Sequence, residues 1–189
     1  MLTRDEGTIA LDLARRAIHE YLVTGRIIKA DGLPPKFYEN RGVFVTLNKR
    51  YDFGKELKGC IGRPYPIMPL GNAIIISAIN AATEDPRFNP VTPGELKTIE
   101  MEVTVLTMPV LLEGQKSELP GKIKVGRHGL IVQRGRNSGL LLPQVAVEHG
   151  FDEEEFLGQT CMKAGLYPDA WLEADTDVFA FEGQIFQES

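Results

Sequence analysis

The sequence predicts an α+β fold in which a mixed or antiparallel sheet is flanked by helices. Three observations carry this prediction. Strand-like patterns are dispersed from residue 43 to residue 186, helical patterns stand between them at irregular intervals, and the chain shows no strict alternation of strands and helices. We expect one domain over residues 1–189, with two interleaved subdomains as the alternative.

The first half of the chain predicts two helices and a hairpin. Apolar residues recur at spacings of three and four from residue 8 to residue 23, just before Gly25, which predicts an amphipathic helix that ends there. The β-branched run 42–47 and the later run 56–61 predict a β-hairpin. An apolar face over 70–83, which follows a proline-rich stretch, predicts a second, core helix.

The second half predicts five strands and two helices. Residues 99–107 alternate and have one strongly apolar face, and the short glycine-separated segments after them predict a small meander. The predicted strands are 99–107, 123–125, 129–133, 139–142 and 178–186. One helix is predicted over 143–148, closed by Gly150, and another after Asp152 as far as Ala164.

Composition and charge exclude several classes of protein. The chain has 43% hydrophobic and 25% charged residues, which is typical of soluble globular proteins, and its net charge of −5 gives no general attraction to nucleic acid. Its longest nearly uncharged stretch, 74–82, is much shorter than the roughly 20 apolar residues that a membrane-spanning helix needs. The acidic N-terminus lacks the order of a secretory signal, so we expect a cytoplasmic protein.

The strongest candidate for chemistry is Cys60, within the segment Leu57–Gly62. Its thiol stands between two glycines directly after a strand-like run, and Lys58 and Arg63 are cations close in sequence. Backbone amides and cations favour the thiolate, which is the nucleophilic form of cysteine. The alternative is that Cys60 is a small buried residue in a tight turn.

Two further residues are predicted to act with Cys60. Glu102 lies on the more polar side of the strand 99–107, where a partly buried carboxylate can serve as an acid or a base. Arg87 is predicted to orient an anionic group. The alternatives are an ordinary ion pair of Glu102, for instance with Arg87, and an Asp85–Arg87 pair that locks its loop.

The remaining cysteine and the histidines do not predict a metal site. Cys161 lies in an apolar helical pattern that favours core packing, and we expect both cysteines to be reduced thiols, with a Cys60–Cys161 disulfide as the alternative in a hyperthermophile. Neither a CxxC nor an HxxxH spacing occurs. Arg127, Arg134 and Arg136 stand on glycine-containing turns, which either hold an anion or are solvated hairpin tips.

Several motifs in order resemble those of the AMMECR family, named after the AMME chromosomal region. The motifs are Leu57–Gly62, Asp85–Phe88, Glu102–Thr107, Gly139–Ala146 and Thr160–Leu166. The resemblance implies a mixed α/β fold in two subdomains, with the Cys60 segment near a cleft between them. It also implies a partnership with Memo-type and radical S-adenosylmethionine proteins in a shared modification or redox pathway. The family has no established activity, and neither a cofactor nor a substrate follows from the sequence.

The same resemblance supplies the remaining candidate site residues. We predict a binding role for Thr46, Lys58, Gly59, Gly62, Asp85, Gln144, Cys161 and Lys163. Lys58 stands where the family usually has Arg, which keeps the charge but loses the two-pronged guanidinium. His149 stands where an aromatic residue is common.

Two classes of function follow. The first is an enzyme or enzyme component in which Cys60 is a nucleophile or redox thiol, Glu102 handles a proton and Arg87 orients an anion. The second is a non-catalytic module whose cleft binds a protein segment or a small molecule. Regulation through nucleic acid bound at the arginine-bearing turns is a weaker third interpretation.

Overall fold

The computed structural model describes residues 1–188, and within that range it contains four α-helices and seven antiparallel strands, which confirms the α+β class. The chain divides into two compact units: unit 1 comprises residues 1–106 and the chain from residue 184 onwards, and unit 2 comprises residues 107–183. No helix among the described residues is both long and apolar enough to cross a membrane.

The helices are α1 Arg4–Thr24, α2 Leu70–Thr83, α3 Pro143–His149 and α4 Glu153–Lys163. The strands are β1 Val43–Tyr51, β2 Gly54–Arg63, β3 Ile99–Leu106, β4 Val110–Leu111, β5 His128–Arg134, β6 Asn137–Leu141 and β7 Asp177–Gln187.

Unit 1 is a sheet covered on one face by α1 and α2. Its strand order is β2-β1-β3, followed by the last residues of β7. Buried and half-buried residues alternate along β1, so that Val43, Val45 and Leu47 face the helices and the residues between them face the other way. This alternation decides which side chains of the sheet are available for chemistry.

The cap of α1 explains why the helix is longer than predicted. Thr3 accepts a hydrogen bond from the backbone of Glu6, and the Glu6 carboxylate accepts one from the backbone of Thr3. This capping box starts the helix at Arg4 rather than at residue 8. Gly25 ends it in the left-handed conformation, with φ of 73°, as the sequence predicts.

Unit 2 places β7 between β4 and β5, with β6 beyond β5. Its core holds Leu130, Phe156 and Trp171. Asp152 and Glu155 form a capping box at α4. The strand predicted at 123–125 is wrong: a short 3₁₀ turn over Pro120–Lys122 and a turn through Gly126 occupy this part of the chain, with Ile123 buried in the core and Val125 packed partly against it.

Candidate functional site

A row of three polar side chains crosses the sheet of unit 1. Thr46 on β1 is the direct partner of Cys60 on β2 and of Glu102 on β3. Direct cross-strand partners project from the same face of a sheet, and this face is opposite the one that α1 and α2 cover. All three residues, called the thiol row below, are half-buried.

The hairpin register brings the thiol against a hydroxyl. The Cys60 Sγ lies 3.2 Å from the Thr46 Oγ1, and either atom could be the donor. The backbone N–H and C=O of Cys60 bond away from β1, so the pair is of the non-hydrogen-bonded type, in which side chains approach most closely. The thiol therefore has a fixed polar neighbour.

Asp85 and Arg87 hold the backbone of Cys60. The Cys60 N–H donates to the Asp85 Oδ2 at 2.8 Å, and the Arg87 Nη2 donates to the Cys60 carbonyl oxygen at 3.2 Å. β2 ends the strand order of the sheet, so these outward backbone groups have no neighbouring strand to bond with. The two side chains take the place of that strand at Cys60.

The two side chains also form an ion pair with two hydrogen bonds. The Arg87 Nη2 lies 2.7 Å from the Asp85 Oδ2, and its Nε lies 2.9 Å from the Oδ1. The Asp85 side chain is only 1% exposed, whereas that of Arg87 is 55% exposed and lies over the Phe88 ring. Hydrogen bonding to Arg87 holds the pKa of Asp85 well below its usual range, although burial opposes this shift.

Glu102 does not take part in this pairing. Of the two ion pairs that the sequence allows for Arg87, the structure contains the one with Asp85 and not the one with Glu102. No hydrogen bond or ion pair from residues 1–188 engages the Glu102 carboxylate. The carboxylate of the thiol row is thus without a bonded partner among the described residues.

Internal packing accounts for both glycines that flank Cys60. A Cβ at Gly59 would lie 2.0 Å from the carbonyl oxygen of Ala81 in α2, and one at Gly62 would lie 2.2 Å from the Phe44 ring. Neither position can carry a side chain without moving a neighbour. Gly59 therefore allows β2 to approach the backbone of α2 closely, and Gly62 makes room for the Phe44 ring.

The cations adjacent to Cys60 in sequence have other surroundings. Lys58 is the extra residue of a β-bulge, because Leu47 pairs with Gly59 while Asn48 pairs with Leu57. Its charge contributes to lowering the pKa of Glu95 to about 2, a shift caused mainly by the hydrogen bond from Lys49. The Nε of Arg63 is buried without a hydrogen-bond partner in the described part of the chain.

Three predicted binding residues lie in unit 2. Gln144 is exposed in the first turn of α3, and Lys163 is exposed in the last turn of α4. Cys161 is fully buried in the unit 2 core, and burial raises the pKa of its thiol. This buried position agrees with the core-packing interpretation, and both cysteines are free thiols.

The arginine-bearing turns of unit 2 are mostly neutralised. Arg127 pairs with Glu182 at 2.9 Å, and Arg134 pairs with Asp175 at 2.9 Å. Only Arg136 of the three stands on its turn without such an ion pair to residues 1–188. Residues 1–188 also contain no group of three or more His, Cys, Asp or Glu side chains placed to hold a metal ion.

Sequence reasoning missed the contact between Asp85–Arg87 and Cys60. The Cys60 N–H and its Asp85 acceptor are 25 residues apart, and the bond depends on how α2 returns the chain to β2. The local signal in the sequence is an acid and a base two residues apart. This spacing permits the Asp85–Arg87 ion pair but does not show that both side chains bond to the backbone of Cys60.

The AMMECR1 family model matches residues 11–186 of this chain. The chain belongs to the AMMECR1 family. A protein of Thermococcus onnurineus is 56% identical over 98% of this chain and 92% of its own length, and one of Pyrococcus furiosus is 57% identical over 98% of this chain and 90% of its own. The crystal structure of an uncharacterised protein from Pyrococcus horikoshii matches with a TM-score of 0.82 and 53% identity, covering 100% of this chain and 94% of that one.

Proposed function

We propose that this AMMECR1-family chain is an enzyme, or a component of one, in which Cys60 is the nucleophile. The observation that carries the proposal is the thiol row: the Cys60 Sγ lies 3.2 Å from the Thr46 Oγ1, and the unpaired Glu102 carboxylate is the next side chain across the sheet. A thiol, a hydroxyl and a carboxylate on one sheet face are the groups that nucleophilic catalysis needs.

The proposed step is attack on an electrophilic carbon of the substrate. The sulfur–carbon bond forms as the bond from that carbon to its leaving group breaks, and the leaving group takes the bonding electron pair. Glu102 accepts the thiol proton through a water molecule or a substrate group and returns it to the leaving group. Thr46 stabilises the thiolate by donating its hydroxyl hydrogen to sulfur.

Arg87 is proposed to bind an anionic part of the substrate without leaving Asp85. Its Nε and Nη2 are bonded to Asp85 and to the Cys60 carbonyl, while no hydrogen bond from residues 1–188 engages its Nη1. The side chain is 55% exposed, so its third nitrogen is accessible to a ligand. Under this proposal Asp85 is a positioning residue that holds both the guanidinium and the strand.

The family resemblance supplies the proposed setting. Memo-type and radical S-adenosylmethionine proteins are the proposed partners, in a modification or redox pathway to which this chain contributes the thiol. Co-purification of tagged chain with these two proteins from the native source tests the partnership, with Cys60→Ser as the variant that separates binding from chemistry.

A non-catalytic binding module is the second candidate. It is favoured by the hydrogen bonds of Asp85 and Arg87. Both side chains bond to the backbone of Cys60 and to each other, so these two residues already have a structural role that does not depend on catalysis. In this case the thiol row is a polar patch that contacts a protein segment or a small molecule, and Cys60 has no special reactivity.

Alkylation of Cys60 across pH distinguishes the two candidates. In a Cys161→Ala background, we compare the rate with iodoacetamide for the parent and for Glu102→Gln. If the carboxylate is coupled to the thiol, removing its negative charge moves the midpoint of the profile down by about half a pH unit or more. Asp31→Asn, an exposed acid of unit 1, is the matched control. An unchanged midpoint in Glu102→Gln supports the binding module.

A further inference from the structure

Unit 1 contains a cavity of about 810 Å³ that does not involve the thiol row. One wall is α1, from Arg4 to Arg15, and the other consists of the start of β3 and the end of β7, and Arg50 and Lys97 complete the lining. The volume lies within the range of about 300–1,000 Å³ that is typical of small-molecule sites.

The lining carries an excess of positive charge. Arg4, Arg15, Arg50 and Lys97 contribute four cations, against the three carboxylates of Asp12, Glu100 and Glu188. Each of these carboxylates already has a partner: Glu188 pairs with Arg15 at 2.5 Å, Asp12 with Arg16 at 3.6 Å and Glu100 with Lys55 at 3.0 Å. The last two partners come from outside the lining.

Three cations are left without a bonded partner. No hydrogen bond or ion pair from residues 1–188 engages the side chains of Arg4, Arg50 or Lys97. The charge of Arg50 contributes to lowering the pKa of Glu100, a shift caused mainly by the hydrogen bond from Lys55. They come from α1, β1 and the short 3₁₀ turn over Glu95–Thr98. All three line one cavity, in a chain whose net charge is −5.

Apolar side chains lie between the charged groups. Leu11, Ile99, Ile185 and Phe186 line the same cavity, and Ile185 is 62% exposed. Arg15 is fixed by Glu188 and by the carbonyl oxygens of Leu96 and Ile99, so the two walls of the cavity are tied together. A ligand there would meet both positive charge and apolar surface.

We infer that this cavity binds a small organic anion that joins a phosphate group to an apolar body. The phosphate binds Arg50 and Lys97, which come from neighbouring segments because Lys49 pairs with Ile99, and the apolar body covers Leu11 and Ile185. The positive charge attracts any small anion. The apolar lining gives a higher affinity to anions that carry a ring or an aliphatic chain.

Phenyl phosphate is the probe, with inorganic phosphate as its comparison, and binding is measured by isothermal titration calorimetry on the full chain. We expect phenyl phosphate to bind about ten-fold more tightly than phosphate, because the ring buries apolar area. The double substitution Arg50→Gln with Lys97→Gln weakens both by about ten-fold or more. Ile185→Ser lowers only the preference for the phenyl ester, by about three-fold.

Arg26→Gln with Lys29→Gln is the matched control, since both cations are exposed in unit 1 and neither lines the cavity. This double variant removes the same total charge and leaves both affinities within about two-fold of the unsubstituted chain. The inference is overturned if phenyl phosphate gives no binding at about 10 mM. It is also overturned if the control weakens binding as much as the cavity variant, since the attraction is then only that of general charge.

Discussion

The two thiols of this chain occupy contrasting surroundings. Cys60 is half-buried on a strand at the end of the strand order of unit 1, against the hydroxyl of Thr46. Cys161 is fully buried on α4 among the apolar side chains of the unit 2 core, where burial raises the pKa of its thiol. Because the thiolate is the reactive form and must be reached by a reagent, the position in the fold rather than the residue type separates a reactive cysteine from a packing one.

The bonds that position Cys60 act on its backbone and not on its sulfur. Asp85 and Arg87 hold the strand, and Thr46 contacts the thiol. The strand can therefore be loosened without touching the thiol, and the thiol can be altered without loosening the strand. Substitutions of the two kinds should have separate effects.

The largest effect is expected from Asp85→Ala. The substitution removes a carboxylate that is 1% exposed and leaves the N–H of Cys60 and the guanidinium of Arg87 without their acceptor, which should lower the free energy of unfolding by about 3 kcal/mol. Asp175→Ala is the control, because this exposed carboxylate also pairs with an arginine but should cost less than about 1 kcal/mol. Urea unfolding measures both; equal losses would mean that Asp85 does not hold the strand.

The same carboxylate predicts how stability depends on pH. The folded-state pKa of Asp85 is depressed, so its contribution is complete above the unfolded value of about 4 and is lost as the pH falls towards the folded value. The difference in unfolding free energy between the unsubstituted chain and Asp85→Asn should be constant from about pH 5 to 7 and shrink below about pH 4. A difference that grows in acid would contradict the assigned sign.

Serine substitutions compare the two cysteines directly. Cys161→Ser places a more polar group in an apolar core and should lower the free energy of unfolding by about 2 kcal/mol. Cys60→Ser keeps a polar contact with Thr46 and should change the free energy of unfolding by less than about 0.5 kcal/mol. Thermal unfolding of the two variants side by side checks the order, and a larger loss for Cys60→Ser would reverse the comparison.

Thr46→Val should have the smallest effect on stability and a selective effect on reactivity. It preserves the shape of the side chain and removes the hydroxyl that can donate to the Cys60 thiolate, which should slow alkylation of Cys60 near neutral pH by about five-fold. Alkylation of Cys161 in the unfolded chain provides the internal reference. No change at Cys60 would mean that the hydroxyl does not act on the thiolate.

The sequence predicted the elements best where local signals were complete. The helix α2 has the predicted bounds because its apolar face follows a run of prolines, and β3 is predicted by strict alternation. The apolar periodicity alone places the start of α1 too late, because it does not include the capping box of Thr3 and Glu6. The false strand at 123–125 shows that two β-branched residues near a glycine cannot be distinguished in sequence from a turn that packs both of them against the core.

The candidate site was predictable only in part. The segment around Cys60 stands out in the sequence, but the row with Thr46 and Glu102 is set by the register of three strands, which the bulge at Lys58 shifts. The bonds from Asp85 and Arg87 arise from tertiary structure, and no local pattern encodes them. The cavity of unit 1 combines residues from both ends of the chain and was not predicted at all.

The most direct test of the account is to measure the alkylation rates of Cys60 and Cys161 in the same folded sample by peptide mass spectrometry, from pH 6 to 9. We expect Cys60 to react at least about 100-fold faster, because Cys161 reacts only through opening of the unit 2 core. Equal protection of the two thiols throughout that range would contradict it, since Cys60 would then be a second packing cysteine.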